Sequence, residues 1–158
     1  MNRLAVRYNF IAFFFKIITY TSSASIYIFY AILIPIITQK GIAVTKVGII
    51  GFLFQVPIYL LSKNLIKRSR PKNIHSIKQL IKAPDKYSFP SGHSASSMLF
   101  ILIINHFFSS VILFFAIWAI LIFLSRIALG LHYFSDVLGG IVLGILSYLF
   151  AINIITCF

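Results

Sequence analysis

Residues 93–126 read HSASSMLFILIINHFFSSVILFFAIWAILIFLSR, and the fold depends on how this stretch is laid across a membrane. Between His93 and Arg126 lie 32 residues, nearly all apolar. A single helix of that length would extend roughly 50 Å, against a bilayer hydrocarbon core of about 30 Å. The segment therefore has to bend back on itself. Asn105, His106, Ser109 and Ser110 supply a polar bend, which predicts two short spans over 94–108 and 111–125. Such a hairpin returns Arg126 to the membrane side that holds His93, and it leaves His106 on the opposite side as loop polarity.

The rest of the chain has the same character. Hydrophobic residues make up 60% of it, charged residues only 10%, and the mean hydropathy is +1.01, which excludes an ordinary soluble domain. The composition predicts an all-α integral membrane protein, one domain over 1–158, built as a bundle of five transmembrane helices with interfacial helices beside them. Further spans are expected at 22–37, at 47–61 and from His132 to the C-terminus, where Gly140 and Gly144 have the spacing that lets helices pack closely. Residues 1–20 carry an apolar run of about 12 residues broken by Lys16, too short to cross, and are read as an interfacial helix. Should 5–20 cross, the bundle has six spans. The formal charge of +12 is gathered in the polar segments, which fits anionic headgroups or an anionic substrate and not nucleic acid. A lone Cys157 supports neither a disulfide nor a thiolate metal site.

Three polar sets interrupt the apolar background. The first is SKNLIKRSRP, residues 62–71, in which Lys63, Lys67 and Arg70 have helical spacing, so a helix continuing past the membrane surface to Pro71 would show all three on one side. Residues 72–86 then read as a second surface helix with Ile74, Ile77, Leu80 and Ile81 on one face, His75 solvated, and Pro84 and Asp85 as a turn. The second set is FPSGHS, residues 89–94, where the amides of Ser91, Gly92 and His93 would open a helix and make an anion site, with His93 as a titratable donor. The third is SRIALGLHYFSD, residues 125–136. A helix from Leu131 would put His132 and Asp136 at i and i+4, the carboxylate fixing the ring tautomer and leaving the other nitrogen free as nucleophile or base. A tight reversal at Gly130 would return Arg126 towards that ring, and an arginine beside such a histidine suggests a phosphate.

The predicted crossings bring all three sets to one side of the membrane. Two histidines, one with a carboxylate partner, together with three cations and an amide-lined helix start, make a phosphate site with a nucleophile and a general acid. Zinc is the competing chemistry, since two histidines and an aspartate can bind it; three neighbouring cations oppose a dication.

K-x6-R-P at Lys63 to Pro71, P-S-G-H at Pro90 to His93 and S-R-x5-H-x3-D at Ser125 to Asp136 resemble the three-part signature of the type 2 phosphatidic acid phosphatase superfamily, matched in order within 74 residues. That family includes membrane lipid phosphatases, bacterial undecaprenyl-diphosphate phosphatases and vanadium haloperoxidases. The resemblance implies that Lys63, Arg70 and Arg126 hold the phosphate oxygens with help from Ser91 and the Gly92 amide. It implies that His132, oriented by Asp136, attacks phosphorus to give a phosphohistidine, and that His93 protonates the departing lipid oxygen, with no metal and no cofactor. The expected substrate is a lipid phosphate or diphosphate within the bilayer, undecaprenyl diphosphate first, then phosphatidic acid or phosphatidylglycerol phosphate. Phosphate transfer to a lipid A acceptor and a dead lipid-binding site are the alternatives. The resemblance also implies a bacterial cytoplasmic (inner) membrane with the site on its outer, periplasmic face. Charge pulls the other way: of 14 basic residues all but Lys40 and Lys46 fall on the site's side, which the positive-inside rule would make cytoplasmic.

Overall fold

The computed structural model describes residues 1–74, 77–83 and 85–157, and its ordered elements are helices. In chain order they are α1 (Asn2–Arg7), α2 (Asn9–Tyr20), α3 (Ala24–Ile37), α4 (Gly41–Ile66), α5 (Pro71–Ile74), α6 (Gly92–Phe107), α7 (Ile112–Ala128) and α8 (Phe134–Cys157). The bend inferred from Asn105 to Ser110 is present: α6 ends at Phe107, a single 3-10 turn follows at Ser109–Val111, and α7 runs back.

Among the described residues, three helices are long and apolar enough to cross a membrane, namely α4, the 20-residue run from the 3-10 turn through α7, and α8. A fourth span is available if α2 and α3, bent by 49° at their junction, are taken together. Five spans require α3 and α6 to be complete crossings. At 14 and 16 residues they reach only about 21 and 24 Å, short of the hydrocarbon core. The N-terminal segment likewise differs from a free interfacial helix. α2 packs along α7, and the polar groups at its junction with α3 reach inward: Trp118 donates to the Thr21 hydroxyl at 2.8 Å, and the Ser97 hydroxyl donates to Ser22 at 3.2 Å. Polar side chains at membrane depth are costly unless paired, so these bonds tie the bend to the bundle.

α6 lies at the centre, against α4, α7 and α8. Its Leu99 and Ile103 join Val44, Val47 and Ala151 in one buried cluster, while Phe100 and Ile104 join Tyr27 in another. The α6–α8 approach depends on the two spaced glycines: a Cβ on Gly140 would run into the Ser91 carbonyl, and one on Gly144 would meet the Ala95 carbonyl at 2.5 Å. Outward-facing residues such as Ile36, Leu53 and Leu113 remain exposed, as a lipid-facing surface requires.

Candidate active site

The connection between α7 and α8 places the central histidine. Gly130 takes a left-handed conformation (φ +70°), which few side chains tolerate, and the amides of Leu131 and His132 turn back to the Arg126 carbonyl at 3.1 and 3.2 Å. The reversal expected at Gly130 thus forms, and His132 is left only 4% exposed. Its Nδ1 lies 2.7 Å from the Ser88 carbonyl oxygen. A carbonyl can only accept, so Nδ1 carries the proton and Nε2 holds the lone pair. Nε2 faces the Arg70 guanidinium, whose Nη1 is 3.5 Å away. Burial is the main influence pulling this imidazole from 6.5 down to about 4; the Asp136 carboxylate opposes the shift, and Arg126 and Arg70 reinforce it.

The expected His132–Asp136 hydrogen bond needs correction. Asp136 Oδ2 stands 3.6 Å from Nδ1, beyond hydrogen-bond length. The i, i+4 register needs a helix from Leu131, whereas α8 begins at Phe134 and His132 lies outside it. Fully buried, Asp136 instead accepts from the Tyr133 amide at 2.9 Å and from Arg68 Nη1 at 2.8 Å. Its charge remains close enough to favour a cationic ring.

The Pro-Ser-Gly-His turn is joined to the same region. Ser91 caps α6, its hydroxyl accepting from the Ser94 amide at 3.4 Å and the Ser94 hydroxyl at 2.8 Å, while its own amide donates to the Asp136 carbonyl at 2.9 Å. The reading of the Ser91 amide as open to an anion is corrected accordingly: its polar groups tie the start of α6 to α8. Gly92 and His93 occupy the first turn, where amides lack helical partners. His93 is half-buried and within electrostatic reach of His132, Arg126 and Asp85.

The basic motif converges on the site by a different path from the one expected. α4 ends at Ile66, Lys67 adopts a left-handed conformation (φ 48°) and is exposed, and Pro71 opens α5 instead of ending a long helix. Proline disfavours helix in the residue before it, so 67–70 leave the helical path. Lys63 and Arg70 are nevertheless both buried. Lys63 Nζ donates to Asp85 Oδ1 at 2.9 Å and the Tyr87 carbonyl at 2.6 Å; Arg70 donates to Asp85 Oδ1 at 2.7 Å and the Leu131 carbonyl at 2.7 Å. Arg126 is also buried; it contacts the Thr19 hydroxyl, and its Nε has no hydrogen-bond partner among the described residues.

The surface helix expected over 72–86 is limited to α5, and residues 77–83 are irregular; His75 and Pro84 lie outside the described residues. Asp85, read from sequence as a turn residue, is a charged member of the site. Burial would raise its carboxyl, but hydrogen bonds from Lys63, Tyr59 and Arg70 and the charge of Lys63 hold it below its ordinary value. Sequence reasoning also missed Arg68, Ser88 and Tyr59. Arg68 was visible only as one member of the basic run; it reaches Ser135 and Asp136 because the chain leaves the helix after Ile66, which side-chain spacing does not report. Among the described residues no three metal-ligating side chains are grouped.

A buried histidine lies among cations beside a helix start, at one end of a bundle of apolar helices, in what the long apolar helices make an integral membrane protein. The chain belongs to the PAP2 superfamily, whose profile matches residues 42–156. It is 32% identical over 134 residues to a probable lipid phosphate phosphatase beta of Arabidopsis thaliana, covering 66% of this chain and 62% of the relative. It is 31% identical over 97 residues to phosphatidylglycerophosphatase B of Bacillus subtilis, covering 54% of this chain and 45% of that protein. The chain therefore spans only part of these curated relatives. Among solved structures it resembles Aquifex aeolicus LpxE, with a TM-score of 0.83, 21% identity, and 92% and 87% of the two chains covered. It also resembles a transmembrane PAP2-type phosphatidylglycerolphosphate phosphatase from Bacillus subtilis, with a TM-score of 0.72, 22% identity, and 94% and 78% coverage.

Proposed function

We propose that the protein is a membrane lipid phosphatase that removes a terminal phosphate from a lipid through a phosphohistidine on His132. The observation that carries this reading is a groove of about 750 Å³ between α3, α4 and α6, which begins at Tyr59, Gly92 and His93 and runs down to Ile34, Val44 and Ile103. A lipid whose phosphate lies by the histidines would thread its hydrocarbon tail along this apolar wall.

In this reading Lys63, Arg70 and Arg126 hold the phosphate oxygens with the Gly92 amide, while Ser91 positions the helix start. His132 Nε2 attacks phosphorus as the lipid oxygen leaves, and His93 supplies that oxygen's proton. His93 then takes a proton from water as the water attacks the phosphohistidine and releases phosphate. Asp136 stabilises the cationic ring through its charge, and the Ser88 carbonyl holds the tautomer. The name of one curated relative, a phosphatidylglycerophosphatase, favours a glycerolipid phosphate over undecaprenyl diphosphate. The membrane is a bacterial cytoplasmic membrane with the site on its outer face, and 1–158 acts as one domain.

The test is phosphate release by purified protein in detergent with EDTA present. Phosphatidylglycerol phosphate, phosphatidic acid and undecaprenyl diphosphate are compared, with His132→Ala as the control. Release from a lipid phosphate that falls by several powers of ten in the variant is expected. Equal release by wild type and variant would contradict the assignment.

A further inference from the structure

Both acidic residues of the chain lie at this site, and they are held in different ways. Asp136 is fixed in the first turn of α8 with its side chain fully buried. Asp85 sits in the irregular segment ahead of α6, and 31% of its side chain is exposed. Its Oδ1 receives both Lys63 Nζ at 2.9 Å and Arg70 Nη2 at 2.7 Å, and its Oδ2 accepts from the Tyr59 hydroxyl at 2.8 Å. Lys63 and Arg70 are cations that the phosphatase reading gives to the substrate, so a carboxylate stands where phosphate oxygens would bind.

We propose that Asp85 is a resident anion of the phosphate cradle, displaced from Lys63 and Arg70 when the substrate enters and returning to them as product phosphate departs. The inference rests on the phosphatase reading above. Three observations support it. The cations keep other anchors when the carboxylate leaves, Lys63 on the Tyr87 carbonyl at 2.6 Å and Arg70 on the Leu131 and Asp85 backbone carbonyls at 2.7 and 3.1 Å, so the cradle does not depend on the Asp85 carboxylate for its shape. The carboxylate has access to solvent, so it does not need a second buried partner once displaced. Tyr59 both holds Asp85 and lines the lipid groove, which puts the exchange where a headgroup arriving along that groove would meet it.

A phosphate monoester carries about −1.5 to −2 charge at neutral pH and more acceptor oxygens than a carboxylate, so it can win the cradle. Displacing Asp85 costs the same whichever anion does it. The consequence is a uniform weakening of anion binding, and free phosphate, lacking the tail contacts of the lipid, is the ligand that this weakening sheds. Had Asp85 been there only to organise two like charges, its removal would weaken phosphate binding. Opposite signs therefore separate the two roles.

The experiment is calorimetric titration of the purified full-length protein in detergent with inorganic phosphate, for wild type, Asp85→Asn and Tyr59→Phe. Asp85→Asn should bind phosphate about tenfold tighter than wild type, because a neutral amide no longer competes for the cations. Tyr59→Phe, which releases one of the carboxylate's three contacts, should tighten binding by a smaller factor. Wild type that binds phosphate, with the variants binding equally or more weakly, overturns the proposal alone. Should Asp85→Asn fail to fold, Tyr59→Phe decides by the same sign. Phosphate bound by none of the three overturns the phosphatase reading and the proposal with it.

Discussion

His132 owes its proposed chemistry to a carbonyl and to burial. The Ser88 oxygen at 2.7 Å fixes the tautomer, and exclusion from water keeps the ring neutral down to about 4. The sign of the consequence follows. Between 6.5 and about 4 the unfolded chain's imidazole takes a proton that the folded site refuses, so this group lowers stability as pH falls through that window. Asp85, with its carboxyl held below 3.8, contributes stability that is lost only at still lower pH. Thermal unfolding in detergent should show a stability decline from pH 6.5 to 4 that is shallower in His132→Gln; equal slopes would show that the ring titrates normally in the fold. At this scale the sequence was readable for identity and not for partnership. His132, His93, Lys63, Arg70 and Arg126 all reach the site, but Asp136 is not the hydrogen-bond partner of His132, because the chain does not adopt helical spacing there. Ser88 acts through its backbone, which no side-chain pattern reports. Asp85 was legible in principle, because an acid beside a membrane among so many cations has to pair with them.

The helices that carry the site are set by close packing of small residues. With Gly140 against the Ser91 carbonyl and Gly144 against the Ala95 carbonyl, α6 and α8 lie near enough for the Ser91 amide to reach the Asp136 carbonyl at 2.9 Å. Gly144→Leu should force the two helices apart at a cost of about 1–3 kcal/mol, read as a lower unfolding temperature, and should reduce phosphate release as well. Undiminished stability and activity would mean that the approach is not needed. The long apolar helices and the bend at 105–110 were legible because hydrophobic length and polar interruption are direct consequences of the bilayer. The segment between α4 and α6 was not. Its apolar spacing suggested a surface helix, yet its backbone is drawn into tertiary bonds such as the Leu80 amide to the Leu129 carbonyl at 3.1 Å, and contacts of that kind leave no periodic trace.

For the molecule as a whole, the path of the chain gathers Lys63, Arg70, His93, Arg126 and His132 at one end of the bundle, next to a groove that opens among apolar side chains. Sidedness is the property on which charge and family disagree. With Cys157 replaced, a cysteine at exposed Lys82 should react with an impermeant thiol reagent in intact cells and one at exposed Lys40 should not. The reverse pattern would place the site in the cytoplasm, where the distribution of lysine and arginine points. The central claim is that His132 becomes phosphorylated during turnover. The most direct measurement is rapid quenching of the protein with a lipid whose terminal phosphate is radiolabelled, followed by analysis of the denatured chain. The account predicts an acid-labile, alkali-stable label on His132 that is absent from His132→Ala. Steady phosphate release with no label on the protein, or a label that persists in His132→Ala, would contradict it.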